Sequence, residues 1–262
     1  MPTEPTGSPP TGAGWGGLLR LGAAAAAFVV VMIPLQAAVF ILSPPPSTVQ
    51  GFFALFQENP VKGLLDLDLL LTLDYLVMIP FYLALYVVVR RVAPGWSLLA
   101  LVTGLFSLVL FVVSREATFS MWLLSDQYAA ATSTAQKAAL LAAGTTMLTV
   151  YNGGTFATSY ILGAVSTLLF SAVMVRHHIF GRLPGLVGLL TGLTMLVPAN
   201  AGPVGLIVAM VSLLPTAAWL ILLIPHLLRL AREAPEQQDQ NLLPPEISGK
   251  AQASADELAR GG

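Results

Sequence analysis

Between Leu67 and Arg91 the chain reads LDLLLTLDYLVMIPFYLALYVVVRR, an oily run closed by two arginines with one carboxylate, Asp74, well inside it. A membrane-spanning helix needs about 20 predominantly apolar residues, and this run supplies them. An ionised carboxylate at that depth costs about 2.5–3.5 kcal/mol on insertion scales. Asp74 must therefore face protein or water, or carry a proton. A run of this length with so few charges reads as a membrane-spanning helix.

The rest of the chain agrees. Of 262 residues, 56% are hydrophobic and 10% charged, against about 25% charged in ordinary soluble domains. Mean hydropathy is +0.79. The net charge of −1 leaves no basic surface for nucleic acid. Cysteine is absent, which removes disulfides, thiolate catalysis and cysteine-bound metals.

Residues 1–17 are rich in Pro, Gly and Thr and read as a disordered cytoplasmic tail. The run Leu21–Leu42 after Arg20 is long enough to span, and it outlasts the apolar core of about 7–15 residues in a cleaved leader. Pro34 inside it predicts a kink. Pro44, Pro45 and Pro46 open a loop in which Thr48–Gln57 reads as a short interfacial helix with Phe52, Phe53 and Phe56 toward lipid. A second span covers about residues 68–89, with Pro80 near its middle, and a third about 96–113. The segment Arg115–Tyr151 has no clean span. Two helices are expected there, at the outer surface or re-entrant, the alternative being that one of them crosses. A fourth span covers about 155–175, a fifth 183–199 and a sixth 204–228. Residues 233–262 read as a second disordered cytoplasmic tail, leaving 18–232 as the membrane domain.

Charge orients this arrangement. With six spans, Arg20, Arg90, Arg91, Arg176, Arg182, Arg229 and Arg232 fall near one face, and Lys62, Arg115 and Lys137 near the other. The excess of basic residues belongs inside, which puts both termini in the cytoplasm. The stretch Pro94–Leu105 echoes Pro184–Leu193, each after a basic turn, a faint trace of duplication.

The polar residues within the apolar mass are the candidate site. Arg115, at the outer end of the third span, lies at a depth comparable with Asp74 on the second. The two are expected either to form a structural pair or to serve a proton or small-molecule site. Asn152, Glu116 and Asp66 are the other candidates, Asn152 also being explained by the turn Asn152-Gly153-Gly154. Asp66 and Asp68 cluster near Asp74, but successive helical positions step about 100°, so the three share no stripe and build no oxygen cage for a metal. His177, His178 and His226 have neither the spacing nor the paired carboxylate of a zinc site. No phosphate-binding glycine loop, dinucleotide fingerprint or nucleophile elbow is present. No catalytic residue, metal or cofactor is assigned. Gly181, Gly185, Gly188 and Gly192 gather on one face of the fifth span, which predicts close helix packing and a central position for that helix.

The acidic loop from Asn59-Pro60 to Asp66 leading into Leu69–Val89, the turn Arg90-Arg91, Arg182-Leu183-Pro184-Gly185-Leu186 before a glycine-rich helix, and Pro215 through Arg229 in the last helix together resemble a bacterial six-helix integral membrane family of unknown function, over about residues 18–232. The resemblance implies a six-helix bundle and supplies no activity. The expected fold is thus all-α: a polytopic bundle of six spans in a bacterial inner membrane, with the lipid bilayer as its partner. Three functions are open to it. The first is a non-enzymatic accessory or sensory bundle, the second a small secondary transporter with a polar cavity at Asp74, Arg115 and Asn152. The third is an intramembrane enzyme acting on a lipid, with Asp66, Asp74 or Glu116 as acid or base.

Overall fold

The computed structural model of the protein describes residues 15–242, with side chains described to Glu233. Every regular element among them is a helix: α1 (Gly16–Leu42), α2 (Val49–Glu58), α3 (Pro60–Asp66), α4 (Leu69–Val89), α5 (Pro94–Ser114), α6 (Glu116–Ala130), α7 (Thr134–Tyr151), α8 (Gly154–His177), α9 (Leu183–Thr194) and α10 (Gly202–Leu242). Local chemistry sets the starts. Pro60, Pro94 and Pro184 sit in the first turns of α3, α5 and α9, where proline's missing N–H costs nothing. The side chains of Thr48, Asn59 and Ser133 cap α2, α3 and α7 by accepting from backbone amides that have no helical partner.

Five helical runs are long and apolar enough to cross a membrane: Gly16–Leu42, Leu69–Val89, Pro94–Ala130, Thr134–His177 and Gly202–Glu233. The third joins α5 to α6 across Arg115, and the fourth joins α7 to α8 across Asn152 and Gly153. α9 is apolar but has only 12 residues.

The apolar side chains form two cores. The larger gathers Leu19, Ala26, Phe81, Leu85, Val89, Ala100, Phe170, Met174, Trp219, Leu223 and Leu227 from α1, α4, α5, α8 and α10. At one end of this bundle the Arg90 guanidinium lies 5.0 Å from the Trp15 ring, and Phe180 stacks on His226 at 4.7 Å. The smaller core belongs to α2, α3, α6 and α7, built on Phe52, Phe53, Phe56, Leu67 and Met121. It forms a helical cap at the bundle's other end, where α5 passes into α6 and α7 into α8.

Small residues hold the long helices together. Ser107 Oγ of α5 donates to the Ser159 carbonyl of α8 at 2.7 Å, and Ser166 Oγ of α8 donates to the Ala100 carbonyl of α5 at 2.6 Å. Gly163 lies against Ser107 and Gly104 against Ser166. Each serine thus faces a glycine on the partner helix, which lets the backbones approach closely enough to bond.

Three expectations need correction. Phe52, Phe53 and Phe56 are buried in the smaller core rather than turned toward lipid, because α6 and α7 offer them apolar protein surface. α9 is not central. Its glycine face meets α8, with Gly185 against Val175 and Gly192 against Leu168, while Leu183, Leu186, Leu190 and Leu193 are exposed on its other side. Glycines allow intimacy on one face only, and Gly181 lies before the helix at φ +82°, serving the turn. The last helix runs to Leu242, so the opening residues of the segment read as a polar tail continue α10. Of the other tail, residues 1–14 lie outside the described residues, as do 243–262.

Candidate functional site

Asp68 stands between α3 and α4 as the N-cap of α4, in the left-handed region at φ 62°. That conformation costs a non-glycine residue on the order of 1 kcal/mol, and here neighbouring side chains hold it. Tyr151, at the end of α7, donates its hydroxyl to Asp68 Oδ2 at 2.5 Å. Arg115 Nε lies 3.5 Å from the same oxygen, an ion pair by distance but outside hydrogen-bonding geometry. Thr118 Oγ1 of α6 donates to the Leu67 carbonyl at 2.7 Å. The break between α3 and α4 is thus clasped by α6, by α7 and by the α5–α6 junction.

Arg115 is 3% exposed, although its charge makes it one of the least tolerable groups in an apolar setting. Its guanidinium carbon lies 3.9 Å from the Tyr151 ring centroid and 4.6 Å from each of Phe111 and Phe156. Three aromatic faces supply electron density that offsets lost water. Nη1 donates to the Tyr151 carbonyl at 3.4 Å.

Asp74 is 4% exposed and is held from α1: Gln36 Nε2 donates to Asp74 Oδ2 at 2.5 Å. Asp74 Oδ1 is buried with no partner. The structure therefore divides the expected Asp74–Arg115 pair in two, Arg115 with Asp68 and Asp74 with Gln36. Asp66 closes α3. Its Oδ2 is buried and unpartnered, and burial raises its pKa above the usual carboxylate value, against a smaller lowering by Lys62 one turn earlier. Asn152 is exposed. Its side-chain nitrogen donates to the Leu148 carbonyl, and its own carbonyl accepts from Asn200 at 2.6 Å, so it serves the α7–α8 turn and ties the α9–α10 connection to it. Glu116 is exposed in the first turn of α6 and makes no contact with this cluster among the described hydrogen bonds and ion pairs.

Beside the cluster is a partly enclosed cleft of about 150 Å³ between α1, the α3–α4 junction and α10. Gln36, Ser43, Asp66 and Asp68 supply its polar lining; Val39, Phe40, Leu70, Leu71, Met210 and Leu213 are among its apolar walls. Ser43 Oγ is also buried without a partner. Among the described residues no group of three or more His, Cys, Asp or Glu could hold a metal ion.

The partners of the two buried charges escape sequence reasoning for different reasons. Asp68 and Tyr151 are 83 positions apart and meet only because α7 folds back onto the cap. Gln36 is the one amide in the apolar run of α1, and that isolation was the signal available. The glycine and serine seam of α5 and α8 is likewise visible only once the two helices are paired.

Neither the curated proteins nor the solved structures contain a match to this chain. A family model described as a domain of unknown function, DUF4386, matches residues 16–230, nearly the whole described structure, and the chain belongs to that family.

Proposed function

We propose that the protein is a six-span accessory or sensory bundle of the cell membrane, without enzymatic activity of its own. α1, α4, α5, α8, α9 and α10 are its spans, both ends are cytoplasmic, and the α2–α3–α6–α7 cap faces outward. The pairing of the buried polar groups carries this reading. Arg115 is spent on Asp68 and three rings, and Asp74 on Gln36, so the charges that lipid would penalise tie the helices and the cap together. The orientation draws on seven arginines at the ends joined by the Arg90–Trp15 and Phe180–His226 contacts, against three basic residues on the cap side.

Cysteine labelling tests the topology directly, because the chain has no native cysteine. Single cysteines at Val92 and Arg182 should react only with reagent admitted to the cytoplasm, and one at Lys137 from outside. Labelling of positions 92 and 182 from opposite sides rejects the six-span arrangement. Reconstituted liposomes test the role. Proton or solute flux above protein-free vesicles that is lost in Asp74→Asn would replace this reading by transport.

A second reading has an observation of its own. The cleft reaches Asp66 and Asp68 from between α1 and α10, whose neighbouring residues Ile41 and Leu214 are strongly exposed. Lipid can therefore enter it sideways, which favours a lipid ligand over a soluble one.

A further inference from the structure

Packing leaves the cleft beside Asp66 unexplained. Its lining contains two carboxylates and no Lys, Arg or His. Asp68 is already engaged by Arg115 and Tyr151, but Asp66 Oδ2 and Ser43 Oγ are shielded from solvent with nothing to bond. Gln36 gives one amide N–H to Asp74, and its amide oxygen can accept from a ligand in the cleft. Behind it, Asp74 Oδ1 is a further unpartnered acceptor on a side chain 4% exposed. Buried polar atoms without partners are uncommon in folded proteins; the two carboxylate oxygens can only accept while ionised, and the Ser43 hydroxyl can accept as well as donate. The missing complement is a compact donor bearing positive charge.

The surroundings say where that donor comes from. A space of about 150 Å³ suits a headgroup and is too small for a whole lipid. Next in sequence to its lining residues, Ile41 and Leu42 on α1 are 73% and 84% exposed, and Leu214 on α10 is 75% exposed, so both helices that wall the cleft also carry exposed apolar surface. Lys62, exposed one turn before Asp66, adds a cation beyond the acidic lining.

We propose that the cleft takes the primary ammonium of a zwitterionic phospholipid, with Asp66, Ser43 and Gln36 as acceptors, the lipid phosphate toward Lys62 and the acyl chains along α1 and α10. An ammonium has three N–H donors and no acceptor, which matches this lining. A headgroup carrying only hydroxyls brings no charge to meet Asp66. The proposal rests on the reading that α1 and α10 border lipid.

The test is lipid retention by full-length protein. Purified protein is reconstituted in nanodiscs of equal parts phosphatidylethanolamine and phosphatidylglycerol, re-extracted, and its retained lipid measured by native mass spectrometry. Wild type should retain phosphatidylethanolamine over phosphatidylglycerol by about five-fold, the ratio expected of one partly screened charge contact. Asp66→Asn should bring the ratio to about one, and Asp66→Glu should keep most of it. Met210→Trp, which fills the cleft without touching the charge, should abolish retention. Asp126→Asn, on α6 and outside the cleft lining, should leave wild-type selectivity. Equal retention of the two lipids by wild type overturns the proposal, as does a preference that survives both Asp66→Asn and Met210→Trp. Displacement by free ethanolamine at the concentration that displaces the lipid overturns it in favour of a soluble amine. Failure of the underlying topology shows separately, in the cysteine labelling at positions 92 and 182.

Discussion

Arg115 reaches Asp68 and not Asp74: its Nε lies 3.5 Å from Asp68 Oδ2, while Asp74 is taken by Gln36 of α1. The cation sits at the single residue separating α5 from α6, and its partner sits at the break between α3 and α4. One ion pair therefore joins two helix junctions. The aromatic rings around the guanidinium add a requirement that charge alone does not meet, since a flat cation can lie against several rings and an ammonium cannot do so equally well.

Arg115→Lys and Arg115→Met should both lower the melting temperature in detergent, the methionine variant by more. Breaking a buried pair costs about 3–5 kcal/mol, and the figure shrinks when one partner reaches solvent. Asp68 is 35% exposed, so about 1–3 kcal/mol is expected on the same principles. Asp68→Asn with Arg115→Met should be less harmful than the sum of the single changes. Strict additivity in chemical or thermal unfolding would show the pair to be uncoupled.

Gln36→Leu should destabilise the protein by about 1–3 kcal/mol, because it strands a buried carboxylate that has no second partner. Asp74→Asn keeps a hydrogen-bonding group for Gln36 and should cost less than Asp74→Ala. Equal melting temperatures for wild type and all three variants would remove Asp74 from the structural account.

Gly188→Ala should be harmful where Gly95→Ala is not. A Cβ on Gly188 would collide with Ser171 Oγ and lie 2.5 Å from Trp219 Nε1, whereas Gly95 has nothing within 4 Å. Overpacking of this kind costs about 1–3 kcal/mol. Comparing the detergent melting curves of the two variants isolates the packing face of α9 from the general effect of adding a methyl group to a helix.

Asp66 gives the stability a pH dependence of known sign. Burial raises its pKa above the ordinary 3.8, so the folded protein holds the proton more tightly than the unfolded chain. Its contribution is complete below the ordinary value and is lost as pH rises through the raised one. Lys62 on the same helix opposes the shift, and Asp68 with its partners Arg115 and Tyr151 stands on the adjoining junction. Asp66→Asn should therefore gain stability relative to wild type as pH rises across that window. A difference in melting temperature that is flat with pH would show that the carboxyl is not desolvated.

The long apolar helices were legible in the sequence because lipid imposes a length and a composition, and Leu69–Val89 satisfies both without help from the rest of the chain. Five runs meet that standard in the structure, while the expected fifth span contains a helix of only 12 residues. The cap was only half legible. Phe52, Phe53 and Phe56 announce an apolar face, but nothing local distinguishes burial against lipid from burial against α6 and α7. The site failed at the pairing step. Depth along separate helices places Arg115 level with Asp74, whereas the true partner follows from the rotation of α4 and from a left-handed residue at its start. Neither leaves a mark in composition. The cleft is built from three non-adjacent segments, which no local pattern in the chain brings together.

At 12 residues, α9 is a rod about 18 Å long, whereas a bilayer's oily interior is about 30 Å deep. The connection beyond it makes up the remainder: Leu196 and Val197 are exposed there, and Asn200 reaches the Asn152 carbonyl at the far end of α8. In the six-span arrangement the last part of that crossing would be irregular chain rather than helix. Its backbone amides and carbonyls would have to be met by protein, because lipid offers them no partner.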